Sequence, residues 1–320
     1  MTVSRALRNS PSVRAATREG VIAAAEKLGY HAPLKSGRPS VDLSKHRSSV
    51  EVVVGLVGMK LSSFYSELLT AMEQGLNDDG RDCIFRTFSG KYADYLALRD
   101  ALKKSPAEET VIVGYFGVDV LQGLLDLKPD ALIVDNPGCA ALRGNYSAIG
   151  FDNAEAARMG VRHLLERTRT DVLLLSGFKE HYFSRDIEQG YRDALTSAGI
   201  GIDNNLVRHC DFTVDGASSE IRDAVESGLA FDAIFTTDEM ACGVYRALRE
   251  KNRKIPDDIA VCGCDGLPIG EHIYPKLTTI RLNYTKLGRM AIELLAGRRS
   301  GDIPPSRTKL LPELLIRESS

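Results

Sequence analysis

The sequence predicts an α/β protein, two doubly wound lobes behind a small helical head. Three observations predict it. From Val50 onward, apolar runs of strand length alternate with stretches of helical period, the pattern of parallel sheets covered by helices. There are too many such runs for one sheet of ordinary breadth, so the body divides in two. Ahead of them stands a short basic segment of helical character with no strand-like run.

The head comes first. Residues 1–30 read as two short helices, 2–9 and about 15–29, separated by Asn9-Ser10-Pro11-Ser12, with Gly29 as a stop. Residues 31–48 carry Pro33, Gly37, Pro39 and several charges without an apolar period, and they read as a linker. Residues 1–47 hold nine Lys/Arg against Glu19, Glu26 and Asp42, a balance of +6 that leaves −8 for the rest of a chain carrying −2 overall. A basic head on an acidic body suits a polyanion partner for the head alone.

The body spans residues 49–320. Its strand candidates are Val50–Val57, Cys83–Thr87, Thr110–Val113, Ala131–Val134, Ala148–Phe151, Val172–Leu175, Ala233–Thr236 and Ile259–Cys262. Amphipathic stretches lie between many of them, among them Tyr65–Asp78, Asn153–Arg167, Ile187–Ala198, Met240–Glu250 and Thr285–Leu295.

Several function classes find no support. No run of 18 apolar residues exists, so no transmembrane helix and no membrane partner is expected. The N-terminus has no signal-peptide-like apolar stretch, which makes the cytoplasm the expected compartment. The six cysteines fit a reducing environment as small buried hydrophobes. Cys262-Gly-Cys264 lacks a second ligand pair at metal spacing, so neither metal nor cofactor is expected. There is no phosphate loop, no G-x-G-x-x-G, no G-x-S-x-G elbow and no H-E-x-x-H. Gly199-Ile-Gly201 follows a helix rather than a strand, and Asn204 stands where a dinucleotide loop needs its third glycine. A binding protein, not an enzyme, is the expected class.

In doubly wound folds ligands gather at the carboxyl ends of strands. Polar residues stand there in this chain: Asp152-Asn153 after Ile149-Gly-Phe, Thr237-Asp238 after Ala233-Ile-Phe-Thr, and Asp265 after Ala260-Val-Cys-Gly-Cys. Each can cap the following helix or turn, or contact a ligand.

An ordered set of segments then resembles the LacI/GalR-type transcriptional regulators over nearly the whole chain. Thr2-Val-Ser-Arg-Ala-Leu resembles that family's recognition helix; Thr17-Arg-Glu and Ala25-Glu-Lys-Leu-Gly-Tyr30 resemble its third helix. In the body, Ser184-Arg-Asp-Ile-Glu-Gln-Gly-Tyr-Arg-Asp-Ala-Leu195, Thr237-Asp-Glu-Met-Ala-Cys-Gly-Val244, Ile255-Pro-Asp-Asp-Ile-Ala-Val261, Leu277-Thr-Thr-Ile280 and the tail Leu311–Ser319 follow the family's order. The resemblance implies lobes of the periplasmic-binding-protein type I kind: an N-lobe of about 49–151 plus 283–310, and a C-lobe of about 152–282 plus the C-terminal tail. The implied function is repression of transcription, with a small polar, sugar-like effector between the lobes coupled to operator DNA binding by a homodimer. The alternative is a small-molecule, sugar-binding protein without DNA-binding function.

Family members place a first helix and a tight turn before the T-V-S-R helix. The expectation is therefore an incomplete helix-turn-helix, with roughly 15–20 residues ahead of Met1 lost through a misplaced start; the other reading is that DNA binding has been lost. Thr2 and Ser4 resemble phosphate-contacting hydroxyls and Arg5 the side chain that reaches base edges, with Arg8 and Asn9 completing the DNA-facing set. Arg14 replaces the Ser the family carries before its third helix. The N-x-x-A-R-x-L pattern whose Leu wedges into the minor groove does not occur in residues 31–48.

For the effector, Asp265 matches the family's ligand-binding acid, with Cys264 in place of the usual aromatic. Phe212 matches an aromatic that stacks on the ligand, and Tyr284 the aromatic near the last crossover; both also suit a core. Phe64-Tyr65 opens the first body helix, and Asp152, Asn153 and Thr237 complete the set. At the position of the family's sugar-binding Arg stands Ile187, and Arg185 is the nearest substitute. Thr237 stands where sugar binders often carry Asn.

Overall fold

The structure, a computed structural model, describes residues 14–27, 48–56, 63–136 and 141–320, without the side chains at 18, 22, 25–27 and 64. Two compact units emerge, residues 1–47 and 48–320. In the first, helix α1 (Ala15–Lys27) is described, with Arg14, Ala15, Ala16 and Thr17 exposed. Thr2, Ser4, Arg5, Arg8 and Asn9, the linker and Gly29 lie outside the described residues.

The body is built from two six-stranded sheets. The first contains β1 (Ser49–Leu56), β2 (Asp82–Phe88), β3 (Glu109–Tyr115), β4 (Leu132–Val134), β5 (Ser147–Phe151) and β11 (Arg307–Leu310), in the order β11-β5-β4-β3-β1-β2 and parallel throughout. The second contains β6 (Val172–Ser176), β7 (Val207–His209), β8 (Ala233–Phe235), β9 (Ala260–Asp265), β10 (Thr278–Arg281) and β12 (Glu313–Leu315), ordered β12-β10-β9-β8-β6-β7. Only β12 runs antiparallel among its described pairings. The two orders are the same pattern written twice: β1 corresponds to β6, β3 to β8 and β4 to β9.

Central strands such as β1, with Val50, Val52, Val53 and Val54 all buried, are covered on both faces, which is why they read as continuous apolar runs rather than alternating ones. Covering helices are α2 (Ser63–Asp78), α3 (Tyr92–Lys104) and α4 (Val118–Leu127) in the first lobe. In the second they are α5 (Asn153–Glu166), α6 (Tyr182–Ser197), α7 (Val214–Glu226), α8 (Asp238–Glu250) and the short α9 (Ile269–His272). The last long helix, α10 (Tyr284–Ser300), packs on α2 and so belongs with the first lobe. Their starts are held by side-chain caps: Asp152 accepts from Glu155 N, Thr213 from Gly216 N and Asn283 from Lys286 N.

The chain passes between the sheets three times, between β5 and α5, between β10 and α10, and between β11 and β12. Backbone hydrogen bonds tie these passages together, Asp152 N to Leu310 O at 3.0 Å and Leu282 N to Asp265 O at 3.1 Å.

Each of the eight strand runs read from the sequence falls on an observed strand. The four others, β7, β10, β11 and β12, are three or four residues long and carry charged or hydroxyl residues that break an apolar run, unlike the equally short β4 and β8. Helix α6 begins at Tyr182 rather than Ile187, because the His181 ring nitrogen accepts from Phe183 N at 3.2 Å and packing buries Tyr182. No described helix is long and apolar enough to cross a membrane.

Candidate functional site

In both sheets the strand order reverses between two neighbours, β1 and β3 in the first and β6 and β8 in the second, and the crevice beyond such a point is where open α/β sheets hold ligands. In the second lobe this crevice is a narrow recess lined by Ser176, Phe183, Ile187, Thr236, Thr237 and Cys264. Two of its hydroxyls are orphans. Ser176 and Thr236 are 1% and 2% exposed, and neither Ser176 Oγ nor Thr236 Oγ1 has a hydrogen-bond partner among the described residues. Ser184 Oγ, one turn before Ile187, shares this condition. Buried polar groups are ordinarily paired, so a cluster of orphans at a strand-end crevice marks a place for a polar ligand.

Two acid–phenol pairs join the lobes. Asp135 follows β4, and its carboxylate accepts from Tyr182 Oη at the start of α6 in the other lobe at 2.6 Å. Asp265 ends β9, the counterpart of β4, and accepts from Tyr284 Oη at the start of α10 at 3.1 Å. Both acids take positive φ, 73° and 122°, a conformation that non-glycine residues rarely hold and that is commonly found at functional sites. Burial pushes the Asp135 carboxyl up to about 7, with the Tyr182 hydrogen bond acting the other way. The Asp265 carboxyl is pushed well above the usual carboxylate range by burial first and then by the Asp238 charge. Asp238 itself, fully buried, is engaged by Thr279 Oγ1 at 2.5 Å and by Leu267 N at 2.6 Å, which makes it a structural brace.

Aromatic rings close the junction. Tyr115, at the end of β3, lies 4.4 Å from His181 between ring centroids, and its hydroxyl donates to Glu180 O across the lobes at 3.4 Å. His181 also packs on Tyr182 at 4.6 Å and edge-on against Phe212 at 5.2 Å. Burial, and next the Arg185 charge, pushes the His181 imidazole down to about 3, so it is neutral. Phe212 too has positive φ, and its ring covers Gly177 so closely that any side chain at 177 would collide with it.

The structure thus gathers Tyr65, Phe212, Thr237, Asp265 and Tyr284 around the junction of the lobes. Tyr65 is buried in the first body helix, where the Asp135 charge adds to burial in raising its phenol. Phe64 belongs to the same turn, and its side chain is outside the described set. Thr237 lines the recess while capping α8 through Met240 N at 3.4 Å. Asp152 and Asn153 are occupied locally: Asp152 Oδ1 accepts from Glu155 N at 3.2 Å and from Lys309 Nζ at 3.4 Å, and Asn153 Nδ2 donates to Asp186 at 3.5 Å. Arg185 is exposed on α6, whereas Ile187 is buried in the recess.

Sequence reasoning missed Asp135, Tyr182, His181, Ser176 and Thr236. Asp135 was within reach, since it follows the strand run Ala131–Val134 just as Asp152 and Asp265 follow theirs.

Residues 1–32 match the family described as bacterial regulatory proteins, lacI family, and residues 161–320 match the periplasmic binding protein-like domain. The HTH-type transcriptional regulator CelR of Thermobifida fusca is 28% identical over 322 residues, 99% of this chain and 94% of its own. A transcriptional regulator CelR–cellobiose complex shares the fold with a TM-score of 0.79 at 27% identity, covering 100% of this chain and 95% of that one. The lac repressor dimer bound to operator and the anti-inducer ONPF aligns with a TM-score of 0.76 at 23% identity over 99% of this chain and 94% of the other, a likeness of fold. The curated relatives are transcriptional regulators, not enzymes.

Proposed function

Because the chain belongs to the LacI/GalR-type family of transcriptional regulators, with a lacI-type head and a periplasmic-binding-protein-like body, we propose that it controls transcription by closing its two lobes on a small polar effector and coupling that closure to operator binding. The observation that carries this reading is the pair of buried hydroxyls, Ser176 and Thr236, that line the recess at a strand-order reversal without a hydrogen-bond partner among the described residues, in a body whose lobes are joined by the hydrogen bonds of Tyr115 and Tyr182. An effector supplies the missing hydrogen bonds, and through the Tyr182–Asp135 contact its presence bears on how the lobes meet.

Asp265, Phe212, Thr237, Tyr65 and Tyr284 are the side chains we assign to the effector, with Asp152 and Asn153 shaping the first passage between the lobes. A homodimer presenting paired heads to operator half-sites fits the same reading, and Thr2, Ser4, Arg5, Arg8 and Asn9 are the residues we assign to DNA.

The test couples two measurements. Duplexes that bind the protein are selected from a random pool, and a sugar library is screened for compounds that raise Tm in a concentration-dependent way. A stabilising compound is expected to change affinity for the selected duplex, and the duplex to change affinity for the compound by the same factor. A compound that raises Tm and leaves duplex affinity untouched would overturn the coupling.

A further inference from the structure

The composition of the cleft constrains the charge of what enters it, an argument that rests on the effector reading above. Asp135 and Asp265 are each 8% exposed, and they lie close enough for the Asp135 charge to act on both Asp265 and the Tyr284 phenol. Each accepts a hydrogen bond from a tyrosine, and among the described residues neither has a lysine or arginine partner. Where the family resemblance puts a guanidinium, this chain has the buried, apolar Ile187. Arg185 is exposed, and the nearby imidazole of His181 is neutral.

A buried carboxylate without a counter-charge is costly, so it stays protonated until a cation reaches it. Independently, the orphan hydroxyls of Ser176 and Thr236 line the recess beside Cys264, the residue before Asp265. They call for hydroxyl or amine groups on the same molecule.

We propose that the effector is a small polyhydroxylated amine, an amino sugar in the simplest case, whose ammonium group is held by Asp135 and Asp265 and whose hydroxyl groups satisfy Ser176 and Thr236. Neutral sugars lose the charge pairing, and uronic acids bring a third carboxyl to a site that already holds two.

Calorimetry on the full chain with glucose, galactose and mannose, each beside its 2-amino and uronic acid forms, tests this at pH 7. At least one amino sugar is expected to bind about tenfold or more tightly than its neutral parent, the scale of one charge-assisted hydrogen bond, and no uronic acid is expected to bind. Binding near pH 6 should also release a proton, read from the difference in heat between two buffers of unlike ionisation enthalpy. The groups facing Asp135 are Tyr65, Tyr182, Tyr284 and Asp265, and Asp265 faces Asp238, Glu239 and the Cys264 thiol as well; the phenols and the thiol stay protonated there, so a released proton comes from a carboxyl. Asp135→Asn and Asp265→Asn should each abolish the preference, and the wild-type comparison stands by itself if either variant fails to fold. A neutral sugar that binds as tightly as its amine, or a panel in which no amine binds, overturns the charge inference and leaves the effector cleft standing. An amine preference that survives in both folded variants overturns the effector cleft as well.

Discussion

The two lobes repeat one strand order, yet they meet the cleft with different chemistry. At the strand-order reversal of the second lobe, β6 and β8 deliver Ser176 and Thr236, small hydroxyls without partners among the described residues. At the same place in the first lobe, β3 delivers Tyr115 and Phe116; Phe116 is buried against Phe88 in a stacked pair with centroids 5.6 Å apart. One strand-order reversal ends in buried hydroxyls and the other in aromatic rings. The acids repeat this inequality: the Asp135–Tyr182 bond is short and ties β4 to the opposite lobe, and the Asp265–Tyr284 bond is longer. Duplication of a fold therefore fixes where a site lies, and the residues at equivalent strand ends decide what each half does there.

The inequality of the two acid–phenol pairs predicts the largest effect. Tyr182→Phe leaves the buried Asp135 carboxyl without its donor and should destabilise the body by about 1–3 kcal/mol, the cost of stranding a buried hydrogen-bonding group. Tyr284→Phe, which removes the longer bond, should cost less. Urea unfolding of both variants measures this, and an equal or larger loss for Tyr284→Phe would erase the distinction between the pairs.

The Asp135 carboxyl also sets a pH dependence. Its pKa rises from 3.8 to about 7 on folding, so across that window the native state holds a proton that the unfolded chain releases. Stability from this group is fully present below about pH 4 and falls as pH climbs to about 7. His181 works in the opposite direction, since an imidazole lowered to about 3 favours the native state as pH rises from about 3 to 6.5. Asp135→Asn removes the first component and keeps the second. Its Tm between pH 4 and 8 should therefore decline less, or rise more, than that of the wild type; identical profiles would show that Asp135 does not titrate in that window.

The hydroxyls of the second lobe give a prediction with two signs. Ser176→Ala and Thr236→Val remove buried groups that have no partner among the described residues, and each should raise stability by up to about 1 kcal/mol. If these hydroxyls serve the ligand, the same changes weaken effector binding. Stability that falls would mean that the protein satisfies them itself.

Much of this arrangement was legible in the amino-acid order. The strand runs could be read because central parallel strands are buried on both faces, and the rule that ligands collect at strand ends pointed to Asp265 and Thr237, which lie at the junction of the lobes. It failed at Asp135, which precedes no long helix and so carried no capping signal to draw the eye. It failed also at Ser176 and Thr236, because a Ser or Thr closing an apolar run looks like ordinary punctuation until its neighbours show that nothing bonds to it. Tyr182 and His181 were out of reach for another reason: their role depends on the opposite lobe, reached through contacts 47 and 65 residues apart in sequence for Tyr182–Asp135 and Tyr115–Glu180. Ile187 was legible as a departure from the family pattern, and the structure adds that it is buried where a guanidinium would otherwise point at the cleft.

The smallest effect separates capping from ligand contact at Asp152. Its Oδ1 already accepts from the Glu155 amide, the work of a helix cap, and from Lys309, whose side chain is half exposed. Asparagine caps about as well as aspartate, and a partly exposed ion pair contributes little. Asp152→Asn should thus shift stability by less than about 1 kcal/mol, seen as a small change in Tm. Effector affinity should stay within experimental error of the wild type, because Asp152 Oδ1 is already engaged by α5 and by Lys309 of β11. A clear loss of affinity at unchanged Tm would return Asp152 to the ligand and make the first passage between the lobes a third polar wall of the cleft, opposite the two acid–phenol pairs.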